Sequence, residues 1–203
     1  FAFSNLTALI NYSATYAVNF LMSLYLQYIK GFSPQTAGLV LLAMPVLQAI
    51  FSPFIGRLSD RIDPGKLSST GMALTTIALF CLTFLSESTP VAFITGSLML
   101  LGLGLALFSS PNTNAVMSSV AKKFYGVASG TLQTMRVVGQ MLSLATVMLI
   151  FALLIGRVQI APEHYPLFLK SVKTAIMIFT VLCFTGTFVS LSRGKASHNL
   201  KSG

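Results

Sequence analysis

Long apolar runs separated by short polar turns set the pattern of this chain. Residues 1–29, 31–56, 67–86 and 88–121 contain no Asp, Glu, Lys or Arg, and 137–156 and 174–192 repeat the pattern. A helix needs about 20 predominantly apolar residues to cross the hydrocarbon of a bilayer. The runs therefore predict six spans, over residues 3–29, 35–58, 67–85, 91–110, 125–155 and 167–192, forming one transmembrane domain over 1–192. A basic tail follows at 193–203. The expected fold class is an all-α membrane protein, a bundle of six transmembrane helices.

Proline and glycine punctuate the runs. Pro34 follows the turn Gly31-Phe32-Ser33 and suits the first turn of the second span, where its missing N–H is not needed. Pro45 and Pro53 fall inside that span and predict kinks, which neighbouring helices accommodate within a membrane. The fourth run is longer than one crossing needs. Ser109-Ser110-Pro111-Asn112 marks where its helix is expected to bend or leave the hydrocarbon. Gly126 and Gly130 form a GxxxG pair at the start of the fifth span, an expected site of close helix packing. Gly102-Leu103-Gly104 lacks the third glycine and the strand-to-helix setting of a nucleotide-binding loop.

Composition sharpens the membrane reading. Hydrophobic residues make up 54% of the 203 and charged residues 8%, against about a quarter charged in soluble domains. A net charge of +9 invites a nucleic-acid partner, but the bases sit in short loops and the tail rather than on one face. Arg57, Arg61, Lys66, Lys122, Lys123, Arg193, Lys195 and Lys201 fall on one side of the predicted topology; Lys30, Arg157, Lys170 and Lys173 fall on the other. The richer side is expected in the cytoplasm with both chain ends, and no nucleic acid is expected. Cys81 and Cys183 lie in apolar runs and read as packing thiols. Phe1 already stands inside an apolar run, so the chain is expected to be part of a longer polypeptide.

Polar residues at helical spacing inside a span mark a face turned away from lipid. The first span carries Asn5, Tyr12, Tyr16, Asn19 and Ser23 on one face; the fifth carries Ser129, Gln133, Arg136, Gln140 and Ser143. Such groups either hydrogen-bond neighbouring helices or line a cavity. Tyr12, Tyr16, Asn19, Gln133, Arg136 and Gln140 are the cavity candidates. Arg136 is the charged residue in the middle of a span, at an insertion cost of about 2.5–3.5 kcal/mol. No span holds Asp or Glu, so its partner must be a substrate, backbone carbonyls or another polypeptide segment. His164 and His198 are the only histidines. No Cys/His cluster, carboxylate pair or phosphate loop is present, so neither a metal, a cofactor nor an enzyme activity is expected.

The densest charge lies in residues 52–66. There, Gly56-Arg57-Leu58-Ser59-Asp60-Arg61 leaves one apolar helix and enters another, and it resembles the signature loop of the major facilitator superfamily. The usual glycine–arginine ending is replaced by Asp63-Pro64-Gly65-Lys66, a departure that resembles the more degenerate copy in the C-terminal repeat. Ser110-Pro111-Asn112, Gly126-Val127-Ala128-Ser129-Gly130, Met135-Arg136 and Gly139 resemble the C-terminal half of the fourteen-span drug:proton antiporter branch. Together the matches cover nearly the whole chain. The resemblance implies one half of a transporter, built as two inverted three-helix repeats. It implies a first and fourth helix lining the cavity, a second and fifth facing the other half, and a third and sixth outermost. Gly56, Arg57, Asp60 and Arg61 then form a gating loop, with Asp60 meeting a helix N-terminus or a basic side chain and Gly56 permitting a close helix crossing. Arg57 and Arg61 read equally well as topology anchors.

The function implied is proton-coupled export of drugs or other amphipathic small molecules, from a prokaryotic plasma membrane. Since no span here is acidic, coupling would reside in a missing N-terminal half; pairing with a second copy of the chain into a twofold transporter is a separate reading. Two alternatives stay open: transport of a small anionic metabolite with Arg136 as counter-charge, and a membrane binding or scaffold protein that moves no solute.

Overall fold

The structure, a computed structural model, describes residues 1–156 and 162–199; among these every regular element is helical. Arg157 and Lys201 of the expected charge asymmetry lie outside the described residues, as does the end of the tail. Helix α1 spans Ala2–Leu24 and passes into a π-helical turn at Tyr25–Ile29. The second span is split into α2, Pro34–Leu41, and α3, Ala43–Ser59. Helices α4, Pro64–Thr83, α5, Val91–Ser118, α6, Tyr125–Leu154, and α7, Tyr165–Asn199, follow.

Local chemistry accounts for several of these limits. Ser33 caps α2 by accepting the Thr36 N–H at 3.2 Å, and Pro34 takes the first helical position. The break at Leu42 falls three residues before Pro45, whose ring crowds the preceding turn and whose nitrogen has no proton to donate. Pro53 leaves α3 continuous. Pro111 likewise leaves α5 continuous to Ser118, beyond the limit expected at residue 110, and Gly71 of α4 packs against the turn that precedes the proline. Helix α7 also continues past residue 192, so the start of the expected tail is helical.

Pro34–Ser59, Pro64–Thr83, Val91–Ser118, Lys122–Leu154 and Tyr165–Phe188 are each long and apolar enough to cross a membrane. Helix α1 does not meet that measure. It is uncharged, but it buries Ser4, Asn5, Thr7, Asn11, Ser13 and Thr15. It sits against α5, α6 and α7, and a helix enclosed by others need not be apolar all round.

The packing repeats itself. Helix α3 packs on α5 as α6 packs on α1, α4 packs on α5 as α7 packs on α1, and α4 and α7 pack on each other. Exchanging the first three spans for the last three reproduces the pattern, so the bundle consists of two inverted three-helix repeats. Its core includes the fully buried Tyr25, Phe108, Phe168 and Phe179. Tyr25 donates its hydroxyl proton to the Ser86 carbonyl at 2.6 Å, tying the end of α1 to the α4–α5 connection. Cys183 is buried, with its Sγ 3.7 Å from the Met72 carbonyl oxygen.

Close approach is supplied by glycines, though not by the expected pair. A Cβ on Gly126 or Gly130 would meet no atom within 4 Å, so this GxxxG motif packs against nothing within the described chain. A Cβ on Gly71 would instead lie 2.6 Å from the Phe108 nitrogen, and one on Gly104 2.9 Å from the Thr75 nitrogen. Gly102 abuts the Met44 carbonyl, and a Cβ on Gly139 would lie 2.6 Å from the Leu9 carbonyl oxygen. Backbone meets backbone at the α4–α5, α3–α5 and α1–α6 crossings. The Gly102-Leu103-Gly104 segment thus serves helix packing on both sides of α5.

Candidate functional site

The last turn of α3 is pinned to α5 by a short relay. Asn114 Nδ2 donates to Ser59 Oγ, and Ser59 Oγ donates to the Gly56 carbonyl at 2.8 Å. This contact holds the charged loop beside a polar stretch of α5. Between them opens a cavity of about 470 Å³, lined by Gly56, Arg57 and Asp60 from the α3 end, Ser109, Ser110, Thr113 and Asn114 from α5, and Arg136 from α6. Two guanidinium groups and one carboxylate therefore share one polar space.

Arg136 enters that space from a built platform. Its guanidinium carbon lies 4.5 Å from the centroid of the Tyr12 ring. Tyr12 in turn meets Phe108 edge-on, with centroids 6.3 Å apart and planes at 75°. The stack Phe108–Tyr12–Arg136 joins α5, α1 and α6. A guanidinium over an aromatic face is attracted by the ring quadrupole, by about 0.5–1 kcal/mol when exposed and about 2 kcal/mol when desolvated. The Nε of Arg136 is buried and has no hydrogen-bond partner.

The other stripe residues divide between two roles. Ser143 is buried and its Oγ accepts the Ala17 N–H at 2.9 Å, holding α6 to α1. Tyr16 and Gln133 are exposed, Gln140 and Asn19 are half-buried, and none of the four lines the cavity. Of the six cavity candidates, Arg136 lines this pocket and Tyr12 lies beneath its guanidinium. Ser109, Ser110, Thr113 and Asn114 were legible as polar steps of one, three and one, which share a helical face. The reading of Ser109-Ser110-Pro111-Asn112 as a bend point left Thr113 and Asn114 unremarked.

The loop departs from expectation at two residues. A Cβ on Gly56 would sit 3.9 Å from Ser110 Oγ, an ordinary contact, so this crossing does not require glycine. Asp60 is the C-cap of α3, and its carboxylate makes no ion pair or hydrogen bond with a described residue. Asp63 makes the helix-end contact instead: it caps α4, its Oδ1 accepting the Gly65 N–H at 2.8 Å. The reason is register, because a carboxylate is favoured at a helix N-terminus and disfavoured at a C-terminus. Asp63→Ala is accordingly expected to lower stability by about 1 kcal/mol, seen as a lower unfolding midpoint, while Asp60→Ala leaves it unchanged. Arg61 lies outside the cavity, in an adjoining pocket with Phe54, Arg57 and Leu58.

Inverted three-helix repeats of apolar helices, with a polar cavity at one end, define half of a helical membrane transport fold. Compared with known protein families, residues 5–201 match the Major Facilitator Superfamily. The chain belongs to that superfamily and is an integral, multi-pass membrane protein. It is similar to the riboflavin transporter RibZ of Clostridioides difficile (strain 630), 27% identical over 94% of this chain and 42% of that protein. It is also similar to the uncharacterized transporter YebQ of Escherichia coli (strain K12), 29% identical over 97% of this chain and 41% of that protein. A third relative, the multidrug resistance protein Stp of Mycobacterium tuberculosis, is 32% identical over 65% of this chain and 24% of its own length. The chain thus spans about two-fifths of the length of RibZ and YebQ.

Proposed function

We propose that this bundle is one half of a secondary active transporter that exports drugs or other amphipathic small molecules in exchange for protons. The observation that carries the reading is the cavity shared by Arg136, the charged loop and the hydroxyl face of α5. Hydroxyls and an amide can hydrogen-bond varied solutes, and the guanidiniums set the local charge. The names of the relatives, one for riboflavin and one for multidrug resistance, support a small organic solute. The second half is supplied by further helices of a longer chain or by a second copy. Further helices of a longer chain would also bring the coupling carboxylate, which a second copy would lack, because Asp60, Asp63, Glu87 and Glu163 all lie outside α1–α7 apart from their caps and end turns. In this reading the bundle sits in a prokaryotic plasma membrane with both ends in the cytoplasm, and Gly56, Arg57, Asp60 and Arg61 gate that side.

The test uses the complete transporter in proteoliposomes with an imposed pH gradient. Ser110→Leu fills the cavity from α5 and is expected to reduce transport of an amphipathic dye at least tenfold at equal protein incorporation. Undiminished transport would remove the cavity from the solute path. Transport that ignores the pH gradient would remove proton exchange. A second reading, uptake or export of a small anionic metabolite, is favoured by the cavity's two guanidiniums against one carboxylate.

A further inference from the structure

Helices α4 and α7 contribute nothing to the polar cavity, yet they enclose a groove of their own. It holds about 360 Å³ and is lined by Thr76, Ile77 and Phe80 of α4 and Met177, Thr180, Val181 and Phe184 of α7, with no polar surface exposed to it. Both threonine hydroxyls are turned back into their own helices, onto the Met72 and Ile176 carbonyls. Edge-to-face pairs Phe80–Phe84 and Phe184–Phe188 stand along its two walls.

The charge near one end of this groove is specific. At 100° per residue, Lys170 and Lys173 project along the same face of α7 as Met177, Thr180, Val181 and Phe184. The register of the two helices is given by Ser69 Oγ against Ser190 Oγ at 2.7 Å and by Cys183 Sγ near the Met72 carbonyl. That antiparallel register sets Lys173 level with the last turn of α4, which ends at Thr83, and Lys170 beyond it. Lys170 therefore stands about 10 Å along the axis from Met177, in the second turn of the apolar stretch Tyr165–Phe188. The ammonium group of neither lysine makes an ion pair or hydrogen bond with a described residue.

We infer that the α4–α7 groove is a phospholipid site, holding one acyl chain against Phe80 and Phe184 and an anionic headgroup at Lys170 and Lys173. The apolar length suits a chain and excludes a polar solute. Two unpaired ammonium groups near the end of the apolar helix suit a phosphate that carries no compensating choline or ethanolamine. Near a membrane surface each lysine favours an anionic lipid about fivefold, so the pair is expected to select about 25-fold.

The experiment uses the complete protein in vesicles of phosphatidylcholine with brominated phosphatidylglycerol or brominated phosphatidylcholine as quencher. This chain contains no tryptophan, so Ile77→Trp places a reporter in the groove, and the signal is the difference from the unsubstituted protein. Brominated phosphatidylglycerol is expected to quench that reporter at roughly one twenty-fifth of the mole fraction that brominated phosphatidylcholine requires. The preference should vanish with K170Q/K173Q, and a reporter on α6, Leu149→Trp, should show none. Val181→Trp reads the opposite wall if Ile77→Trp does not fold. Equal quenching by the two lipids would overturn the site, as would a preference that survives K170Q/K173Q. Absence of quenching by either lipid would mean that another polypeptide covers the groove, and would overturn it too.

Discussion

Arg136→Ala is expected to reduce transport by the complete protein at least tenfold while leaving its folding intact. The guanidinium lines the cavity and rests on Tyr12 rather than on a buried carboxylate, so its removal strands no opposite charge. A hydrogen bond to a charged group is worth about 1.5–3 kcal/mol, and about 1.4 kcal/mol is a factor of ten. Arg136→Lys keeps the charge but loses the planar fork and its stacking, so an intermediate rate is expected. Tyr12→Phe should keep the ring face and the rate, whereas Tyr12→Leu should lose both. Comparing solutes of opposite charge separates the two functional readings. A loss confined to anions assigns Arg136 as counter-charge; a uniform loss assigns it to the conformational cycle. Wild-type rates for every solute would sink both roles.

Gly71→Ala is expected to destabilise the bundle by about 1–3 kcal/mol. Its new methyl would lie 2.6 Å from the Phe108 nitrogen, 2.7 Å from the Leu107 carbonyl carbon and 2.8 Å from the Gly104 carbonyl oxygen. All three are backbone atoms, so no side chain can rotate aside, and α4 must move off α5. Gly126→Ala and Gly130→Ala meet open space within this bundle and should hold or raise stability, since alanine favours a helix by about 1 kcal/mol over glycine. Thermal unfolding in detergent gives the comparison. Equal midpoints for Gly71→Ala and Gly126→Ala would contradict the packing account.

The helical class was legible because charge is almost absent from the runs and concentrated between them, a pattern with one physical solution in a membrane. Arg136 was legible for the same reason: a charge inside such a run demands an account. What surrounds it was not. Tyr12 lies 124 residues away in sequence, and spacing within α1 could show only that Tyr12 shares a face with Tyr16 and Asn19, not which of them meets α6. Glycine roles were equally hidden. The spacing of Gly126 and Gly130 is a packing signal on its own helix, but whether a neighbour comes close depends on where the other helices cross. Gly71 and Gly139 carry no spacing signal and meet foreign backbone. Asp60 and Asp63 differ by three residues, and only the turn between α3 and α4 decides which one caps.

Compliance is spread unevenly through this bundle. Gly102 fixes α3 to α5 at Met44, two residues beyond the break at Leu42. On the other side of that break α2 buries only Ala37. A load arriving through the Gly31 turn is therefore expected to be absorbed in the turn before Pro45, which has no N–H to offer the Leu41 carbonyl, and not by bending of the stitched helices. The second span is built as an elbow: its forearm, α2, is held only lightly by α1 and α5, while its upper arm is bolted to the frame.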